Sequence, residues 1–488
     1  MSVQIFLQGK LLGIDEFLLS PAHASDLAQA GECEEALLVG RSHWVSLLTE
    51  VLPRALLAEL GLARILLGSS GGGQFLVVLP EESRSAAEEF LAAAAADIER
   101  LSNGSLRLVW AVTENLGDWS IVRRRLHDAM RPKRDAPAAS AGLLASDPFP
   151  QLPATATEAY FSAEMGVRLK EARTVAWSPE APARILLGEG RPSWPLSNSP
   201  EAVPLARHAA PADDHASIAS PSELARRSEG RPMWGVLRGD VDNLEIRLRR
   251  LQSIEEHVQL SVLYKQFFAG EVEVLCSMPE FWRRVSVIYS GGDDFAVYGS
   301  WDALIPLARE IQRLFHRFSE ENLKDFPGAE GKTISMAVSL APDGSVTLAE
   351  VFEEAGRKLE IAKSSDKDCL FLFGRAIEWR QLAQAAELKD NLGRLVREFD
   401  CPPELLGEMS RLYREPEPGA SVPRSQRFDR PWRYYRRLSR MGGGARDREL
   451  QRLRSRLLTD LIGKNAAQAR LRPAGRVALE WAKLLSEA

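Results

Sequence analysis

Residues 289–295 read YSGGDDF, and this short stretch lies between two runs of alternating β-branched and aromatic residues, 285–289 and 295–298. The pattern predicts a β-hairpin, because paired glycines supply the positive φ angles that tight hairpin turns require. The two aspartates at the tip are either solvated turn residues or a functional pair. The rest of the sequence decides between these alternatives.

The chain of 488 residues is long enough for several domains, and its 45% apolar content can form more than one core. The N-terminal segment MSVQIFLQGKLLGIDEF lacks the pattern of a secretory signal, and the apolar run 90–98 is too short to span a bilayer. We therefore expect a cytoplasmic protein with no membrane partner. The scattered cysteines favour neither a zinc ribbon nor a disulfide framework: Cys33, Cys276, Cys369 and Cys401.

Residues 135–230 are rich in Pro, Ala and Ser, a composition typical of loops and small inserted elements. On either side, short β-branched runs alternate with longer amphipathic stretches, which is typical of domains that mix helices and strands. The sequence therefore predicts two patterned domains that flank a linker region.

The two patterned regions also resemble each other. FLQGKLLGI (6–14) aligns with VLRGDVDNL (236–244), and SGGGQF (70–75) aligns with SGGDDF (290–295). In each copy a helix and a further strand are predicted after the hairpin. We interpret this as an internal duplication.

The copies share their turn glycines and differ at the acids. Lys10, Gly73 and Gln74 of the first copy stand at the positions of Asp240, Asp293 and Asp294 in the second, in that order. Three carboxylate differences at matched positions within one copy indicate that the acids act as a set.

The spacing in the second copy predicts that the three acids converge. A strand ending at Asp240, a helical crossover and an adjacent strand at 283–290 would place Asp240 beside the hairpin tip. Carboxylates about 4 Å apart in a partly screened site repel by roughly 4 kcal/mol per pair, so the set requires cations or protons. All-oxygen ligands favour Mg²⁺ or Mn²⁺ over zinc. Two such ions roughly 3.5–4 Å apart support an in-line nucleotidyl transfer.

Lys363 is the candidate cation of this site. It ends an amphipathic helix just before the strand CLFLF and is predicted to reach a triphosphate, while the turn glycines let the backbone approach a nucleotide. The alternative is a solvated lysine that complements the helix macrodipole.

GVLRGDVDNL, YSGGDDF, TISMAVS and LEIAKSSDKD, in this order, resemble the second Palm domain of the large, polymerase-like subunit of type III CRISPR effector complexes. Residues 38–80 are similar to the first Palm of that family, and SPSELARRSEGRPMWGVLRGDVDNL is similar to its III-A (Csm) branch. The resemblance implies an α+β fold with two ferredoxin-like, nucleotide cyclase-type Palm domains, a small linker domain and a C-terminal helical bundle. The implied bounds are 1–134 for an acid-free first Palm, 135–230 for a linker domain without a zinc site, 231–375 for a second Palm with the GGDD motif, and 376–488 for the helical domain.

The resemblance also implies an activity, namely the synthesis of cyclic or linear oligoadenylate from ATP by two-metal nucleotidyl transfer, activated by target RNA. The implied ligands of two Mg²⁺ or Mn²⁺ ions are Asp240, the Val241 carbonyl, Asp293 and Asp294. The implied ATP-binding residues are Ser290, Gly291, Gly292, Asn243 and Lys363, together with Ser70, Gly71 and Gly72 of the acid-free copy. The implied partners are guide CRISPR RNA, target RNA, a repeat-tag-binding subunit and a small helical subunit.

The sequence departs from the family pattern at two points. Many members begin with an HD nuclease domain, whereas here Met1 lies a few residues before the first Palm, and His127-Asp128 is predicted to lie on a helix surface. We therefore expect no HD-type DNase activity. The cysteines of the family's zinc-binding insertion are also missing, so the linker domain is expected to hold its shape without metal or to remain loose.

The C-terminal region leaves its partner open. Residues 424–456 carry twelve arginines interleaved with aromatic residues, which suits either RNA or acidic neighbouring subunits. Periodic leucines predict that 450–461 packs as a helix in either case.

Three other functions compete with oligoadenylate synthesis. A diguanylate cyclase shares the two-metal chemistry but has an inhibitory RxxD motif upstream of its hairpin, which RRVSVIYSGGDDF lacks. A template-dependent polymerase would need fingers and thumb segments that show no recognisable pattern here. A catalytically silent scaffold subunit of the same complex is the third alternative, and the intact acids argue against it.

Overall fold

The computed structural model describes residues 4–20, 34–135, 159–197, 199, 201–214, 217–342, 344, 346–365, 367–399, 401–412, 436, 438, 448–462 and 473–487. In these parts of the chain no helix is long and apolar enough to cross a membrane.

The first Palm is built on a four-stranded antiparallel sheet with the order β2-β3-β1-β4. The long helix α2 is buried on nearly all sides, because it packs between this sheet and the linker region. The chain order β-α-β-β-α-β is ferredoxin-like. Its elements are β1 (Gln4–Leu12), α1 (Ile14–Leu19), α2 (Glu34–Glu59), β2 (Leu67–Gly71), β3 (Gln74–Pro80), α3 (Arg84–Leu101), β4 (Arg107–Glu114) and α4 (Trp119–Asp135).

The described part of the linker region packs against both Palms: residues 160–167 contact the first, and residues 221–226 contact the second. The Trp44 indole N–H of α2 donates to the Ala183 carbonyl at 2.9 Å, and the Tyr160 hydroxyl donates to the Ile185 carbonyl at 2.9 Å. Buried aromatic rings surround these bonds, so this part holds its shape by packing and hydrogen bonding. Its elements are β5 (Thr174–Trp177), β6 (Ile185–Leu187), β7 (Ser193–Pro195) and α5 (Pro221–Arg226).

The second Palm contains a six-stranded sheet with the order β13-β12-β11-β8-β10-β9. The strand β8 pairs with β10, the second strand of the hairpin, and β9 lies at the edge. The expectation that 283–290 would be the strand adjacent to Asp240 is therefore wrong, because β10 lies between them. The elements are β8 (Met233–Val241), α6 (Leu244–Arg250), α7 (Ile254–Lys265), α8 (Val272–Cys276), β9 (Val285–Gly291), β10 (Asp294–Ser300), α9 (Trp301–Asn322), β11 (Ile334–Pro342), α10 (Leu348–Ser364), β12 (Cys369–Leu372) and β13 (Arg375–Glu378).

The two Palms share one register, which confirms the internal duplication. Lys10 pairs with Gln74 across β1 and β3, and Asp240 pairs with Asp294 across β8 and β10. The four strands β9-β10-β8-β11 repeat the order β2-β3-β1-β4 of the first sheet. The alignment read from the sequence therefore holds residue by residue at this point.

The described part of the C-terminal region is helical, as expected. The helix α14 packs against α11 and α12, and the periodic leucines of α13 are buried, so the segment does pack as a helix. The aromatic residues between 428 and 435 lie outside the described residues, and the choice between RNA and protein stays open. The helices are α11 (Trp379–Arg397), α12 (Glu404–Leu412), α13 (Arg448–Ile462) and α14 (Pro473–Ser486).

The aromatic ring of Phe295 lies directly over Gly239, and a methyl group at Gly239 would come within 2.3 Å of that ring. We expect Gly239→Ala to lower the free energy of unfolding by about 1–3 kcal/mol through overpacking. Urea denaturation measures the change. Gly407→Ala is the control, because its new methyl group meets only the Lys483 side chain, at 4.0 Å, and a helical alanine is favoured. Equal midpoints for the two variants would contradict this account of Gly239.

Candidate active site

The predicted hairpin is formed by β9 and β10, which are joined by the two residues Gly292 and Asp293. Gly292 has a φ of 69°, a value that glycine adopts without strain and that suits the first central position of a tight hairpin turn. The turn therefore places Asp293 at the tip and Asp294 at the first position of β10.

The three acids of the second copy converge at one end of the sheet. Asp240 is the cross-strand partner of Asp294, so their side chains project from the same face. The Val241 N–H donates to the Asp293 carbonyl at 3.0 Å, which fastens the turn to the end of β8. The antiparallel pairing thus brings together residues that lie more than fifty positions apart.

Mutual repulsion and burial disturb the titration of this set. Burial, followed by the charge of Asp240, raises the pKa of Asp293 to about 6. Burial and the charges of Asp293 and Asp240 raise the pKa of Asp294 to about 8. The protein therefore holds these carboxyl groups close together although they favour protons or cations there.

Lys363 lies at the acids, as predicted. Its ammonium donates to Asp240 Oδ1 at 2.5 Å, and its side chain is only 24% exposed, so it is not a solvated surface lysine. The hydrogen bond and charge of Asp240 outweigh burial and raise the pKa of Lys363. The pKa of Asp240 is raised as well, because burial outweighs the contribution of Lys363.

The donor set suits a hard divalent ion, since Asp240, Asp293, Asp294 and the Val241 carbonyl offer oxygen atoms alone. Repulsion among the carboxylates is the property that such an ion would relieve. Among the described residues, however, no three His, Cys, Asp or Glu side chains are arranged as a metal-binding group. Asp240 instead forms an ion pair with Lys363. The metal site stays a prediction.

Two polar networks that the sequence reasoning missed support the acids. The Tyr289 hydroxyl donates to Asp294 Oδ2 at 2.9 Å and accepts from the Arg238 guanidinium at 3.3 Å. Asp242 is buried and accepts hydrogen bonds from the hydroxyls of Thr333 and Ser335. Tyr289 and Asp294 lie in the same motif, YSGGDDF, but Arg238, Thr333 and Ser335 come from other segments.

Asn243 lies in the left-handed region, with a φ of 59°, directly after Asp242. Its side-chain oxygen accepts a hydrogen bond from Lys367, and Asp242 also accepts from the Asp368 N–H at 3.0 Å. The loop after β8 is therefore tied to the turn that follows α10. The connection is continued by Lys363, which contacts Asp240 from the end of α10.

The glycine hairpins of the two Palms touch. A methyl group at Gly292 would lie 3.3 Å from the Gly72 backbone, and one at Gly71 would lie 3.7 Å from Gly292 N. Glycine suits this contact, because Gly71, Gly72 and Gly292 all have positive φ angles and a methyl group at Gly292 would fit tightly against the Gly72 backbone. The acid-free copy thus contributes backbone to the same place at which the second copy contributes acids.

A cavity of about 300 Å³, here called the first cavity, lies beside this contact. Predicted site residues from both Palms line it: Ser290, Gly291, Gly292, Asp294, Gly71 and Gly72. Ser290 is buried, and its hydroxyl donates to the Phe268 carbonyl at 2.6 Å. The Asp240–Lys363 pair, Asp293 and Asn243 lie outside this lining. Ser70 instead lines a neighbouring second cavity of about 590 Å³.

Comparisons with known proteins agree with this architecture. Residues 233–371 match the family described as Cas10/Cmr2, second palm domain. The second Palm therefore belongs to this domain family. Two similar proteins are both named CRISPR system single-strand-specific deoxyribonuclease Cas10/Csm1 (subtype III-A). The Enterococcus italicus protein is 30% identical over 170 residues, which are 33% of this chain and 21% of that protein. The Mycobacterium tuberculosis protein is 28% identical over 173 residues, which are 31% of this chain and 20% of that protein.

The aligned part is about a fifth of the length of these curated Cas10/Csm1 relatives. Two solved structures match nearly the whole chain. Csm1 of T. onnurineus gives a TM-score of 0.70 at 16% identity, covering 100% of this chain and 70% of that one. The Csm1-Csm4 cassette in complex with AMPPNP gives 0.69 at 18% identity, covering 99% and 70%. These likenesses establish the Cas10/Csm1 fold.

The raised pKa of Asp294 predicts how stability depends on pH. In metal-free protein the folded state binds more protons than the unfolded chain between the ordinary pKa of 3.8 and the folded value of about 8. Stability contributed by this group is therefore lost as the pH rises through that window. Asp294→Asn removes this titrating group. The thermal midpoint of the variant is therefore expected to increase relative to that of the wild type as the pH rises.

Thermal unfolding in a chelator, at intervals across the window, measures this difference. The control is the same series with Mg²⁺, in which an ion bound to the carboxylates is expected to reduce the difference. A difference between the midpoints that does not change with pH would contradict the prediction.

Proposed function

We propose that this chain is the large subunit of a type III-A CRISPR effector complex and that it joins ATP molecules into linear or cyclic oligoadenylate when target RNA is bound. The observation that carries the proposal is the convergence of Asp240, Asp293 and Asp294 beside a cavity lined by the glycine hairpins of both Palms. The acids alone would fit several two-metal enzymes. The second, acid-free hairpin provides a place for a second nucleotide.

The names of structural relatives support the substrate class. Csm1-Csm4 cassettes of the same fold have been solved in complex with AMPPNP, cA3, cA4, pppApA and pppApApA. Those ligands belong to those proteins, which are 17–18% identical to this chain. We extend adenine nucleotide binding to this chain because it has the same two Palms around a cavity.

In the proposed reaction, the 3′-oxygen of one ATP forms a bond to the α-phosphorus of another. The bond from that phosphorus to the bridging oxygen breaks, pyrophosphate leaves with the electron pair, and the proton of the 3′-hydroxyl is lost to solvent. In this proposal Lys363 would neutralise phosphate charge, and the backbone of Gly291 and Gly292 would lie close to the nucleotide. Tyr289 and Arg238 orient Asp294.

Asp240, Asp293, Asp294 and the Val241 carbonyl would hold two Mg²⁺ or Mn²⁺ ions, which activate the attacking hydroxyl and stabilise the leaving oxygen. The proposed partners are guide CRISPR RNA, target RNA and the other subunits of the complex. The domain bounds 1–134, 135–230, 231–375 and 376–488 also stay proposals. The curated relatives are named as single-strand-specific deoxyribonucleases, and the absence of that activity here stays a prediction.

The decisive assay incubates the assembled complex with labelled ATP and Mg²⁺ or Mn²⁺, with and without matching target RNA, and resolves the products. We expect oligoadenylate only when target RNA is present. The double variant Asp293→Ala, Asp294→Ala is expected to reduce the rate by at least about 100-fold, since it removes the charges that organise the transition state.

The matched control is Gln74→Ala. Gln74 occupies the position in the sheet of the first Palm that corresponds to Asp294 in the second Palm. This variant is expected to keep near wild-type synthesis. Consumption of GTP in place of ATP would favour a diguanylate cyclase. An intact complex that binds target RNA but forms no oligoadenylate would identify a silent scaffold.

A further inference from the structure

Lys265, at the end of α7 in the second Palm, reaches across into the first Palm. Its ammonium donates to Ser70 Oγ at 2.7 Å and lies 2.7 Å from Glu50 Oε1. Ser70 also donates to Glu50 Oε2 at 3.0 Å, and Arg54 lies 2.7 Å from the same oxygen. We call Glu50, Arg54, Ser70 and Lys265 the interface cluster.

The interface cluster has more positive than negative charge. Glu50 and Arg54 are each 5% exposed, and the Lys265 side chain is 18% exposed, so two cations share one carboxylate away from bulk water. Burial opposes ionisation of Glu50, but Lys265 and Arg54 outweigh it and lower its pKa to about 2. Burial lowers the pKa of Lys265 despite Glu50. Uncompensated buried positive charge is costly unless an anion joins it.

Lys265 stands where the two cavities meet. It belongs to the lining of both the first cavity and the second cavity, and Ser70, its hydrogen-bond partner, directly precedes the glycine loop that touches Gly292. On the side of the first cavity it faces the same space as Asp294. On the side of the second cavity the lining includes two further cations, Arg54 and Arg64, and one acid, Glu271.

We propose that Lys265 is a phosphate-binding residue, which leaves Glu50 to contact the triphosphate of a nucleotide bound between the Palms. This inference rests on the nucleotide site proposed above and adds a ligand-binding role for a residue that the resemblance did not indicate. Glu50 holds the ammonium at the cavity wall until phosphate replaces it. Arg54, which also donates to the Glu50 carbonyl oxygen at 2.5 Å, keeps the carboxylate neutralised after Lys265 has moved.

A purely structural ion pair makes a different prediction. If Lys265 only fastens the two Palms together, loss of either Lys265 or Glu50 weakens the site in the same direction. If Lys265 binds phosphate, Glu50 competes with the ligand, so Lys265→Met and Glu50→Gln change nucleotide affinity in opposite directions. The comparison of these two variants therefore separates the roles.

The test is isothermal titration of the full-length chain with AMPPNP in Mg²⁺. We expect Lys265→Met to raise the dissociation constant for AMPPNP by about tenfold or more, which corresponds to the loss of one charge-assisted hydrogen bond. Lys265→Arg is expected to recover most of the affinity, and Glu50→Gln is expected to match or exceed the wild type. Adenosine, which carries no phosphate, is expected to bind the wild type and Lys265→Met alike.

The matched control is Lys358→Met. Lys358 makes the same kinds of contact within the second Palm, to Ser339 Oγ at 3.0 Å and to Glu354 Oε1 at 3.4 Å, and its side chain is 23% exposed. It lies outside the lining of both cavities. This variant is expected to bind AMPPNP as the wild type does.

Unchanged AMPPNP affinity in Lys265→Met would overturn the proposal. So would a loss of AMPPNP affinity in both Lys265→Met and Glu50→Gln that Lys265→Arg does not recover. If Lys265→Met does not fold, Lys265→Gln keeps a donor for Ser70 without the charge and carries the same test. A wild-type chain that binds no AMPPNP overturns the proposal as well. Wild-type binding without oligoadenylate synthesis would instead contradict the proposed function and leave the affinity comparison intact.

Discussion

Repulsion among three carboxylates at the adjoining ends of β8 and β10 is the constraint around which the second Palm is organised. The sheet register makes Asp240 and Asp294 cross-strand partners, so the acids cannot move apart without a loss of strand pairing. The surrounding residues offset this repulsion at two points, since Lys363 neutralises Asp240 and Tyr289 donates to Asp294. The Val241 N–H holds the turn in place through the main-chain carbonyl of Asp293. Burial and the remaining charge of the neighbouring acids raise the pKa of Asp293 and of Asp294.

The duplication explains why this arrangement has two unequal halves. Both copies keep a glycine under an aromatic ring, since Phe75 covers Gly9 as Phe295 covers Gly239, and both keep the same strand order. The first copy has positive φ at both Gly72 and Gly73, whereas in the second copy Asp293 occupies the later position. One hairpin therefore presents backbone and the other presents charge. A pair of identical hairpins would bring two acidic sets into contact at the tips, and they would repel.

The sequence predicted the structural features that local patterns determine, but not those that depend on contacts between distant segments. The hairpin, the convergence of the acids, the register of the two copies and the helix that carries Lys363 all followed from short windows with distinct periodicity or turn chemistry. The position of β10 between β8 and β9 did not follow, because strand order depends on pairing across the α6–α8 crossover. Glu50 and Lys265 lie in helices whose apolar pattern gave no sign of an ion pair between the Palms. The docking of the linker region was also missed, since composition indicated only loops and small elements.

Charged groups from both Palms line the first cavity: Asp15 and Glu50 from the first, and Arg238, Lys265 and Asp294 from the second. Asp294 lies on the hairpin of the second Palm, while Lys265 is held by Glu50 and Ser70 of the first Palm. A bound triphosphate would be drawn toward the cations and kept from the acids unless divalent ions lie between them. Lys265 belongs to one Palm and its partners belong to the other. Any change in the separation of the Palms therefore changes the position of Lys265 relative to its partners. The geometry of the site and the contact between the Palms are consequently set by the same few residues.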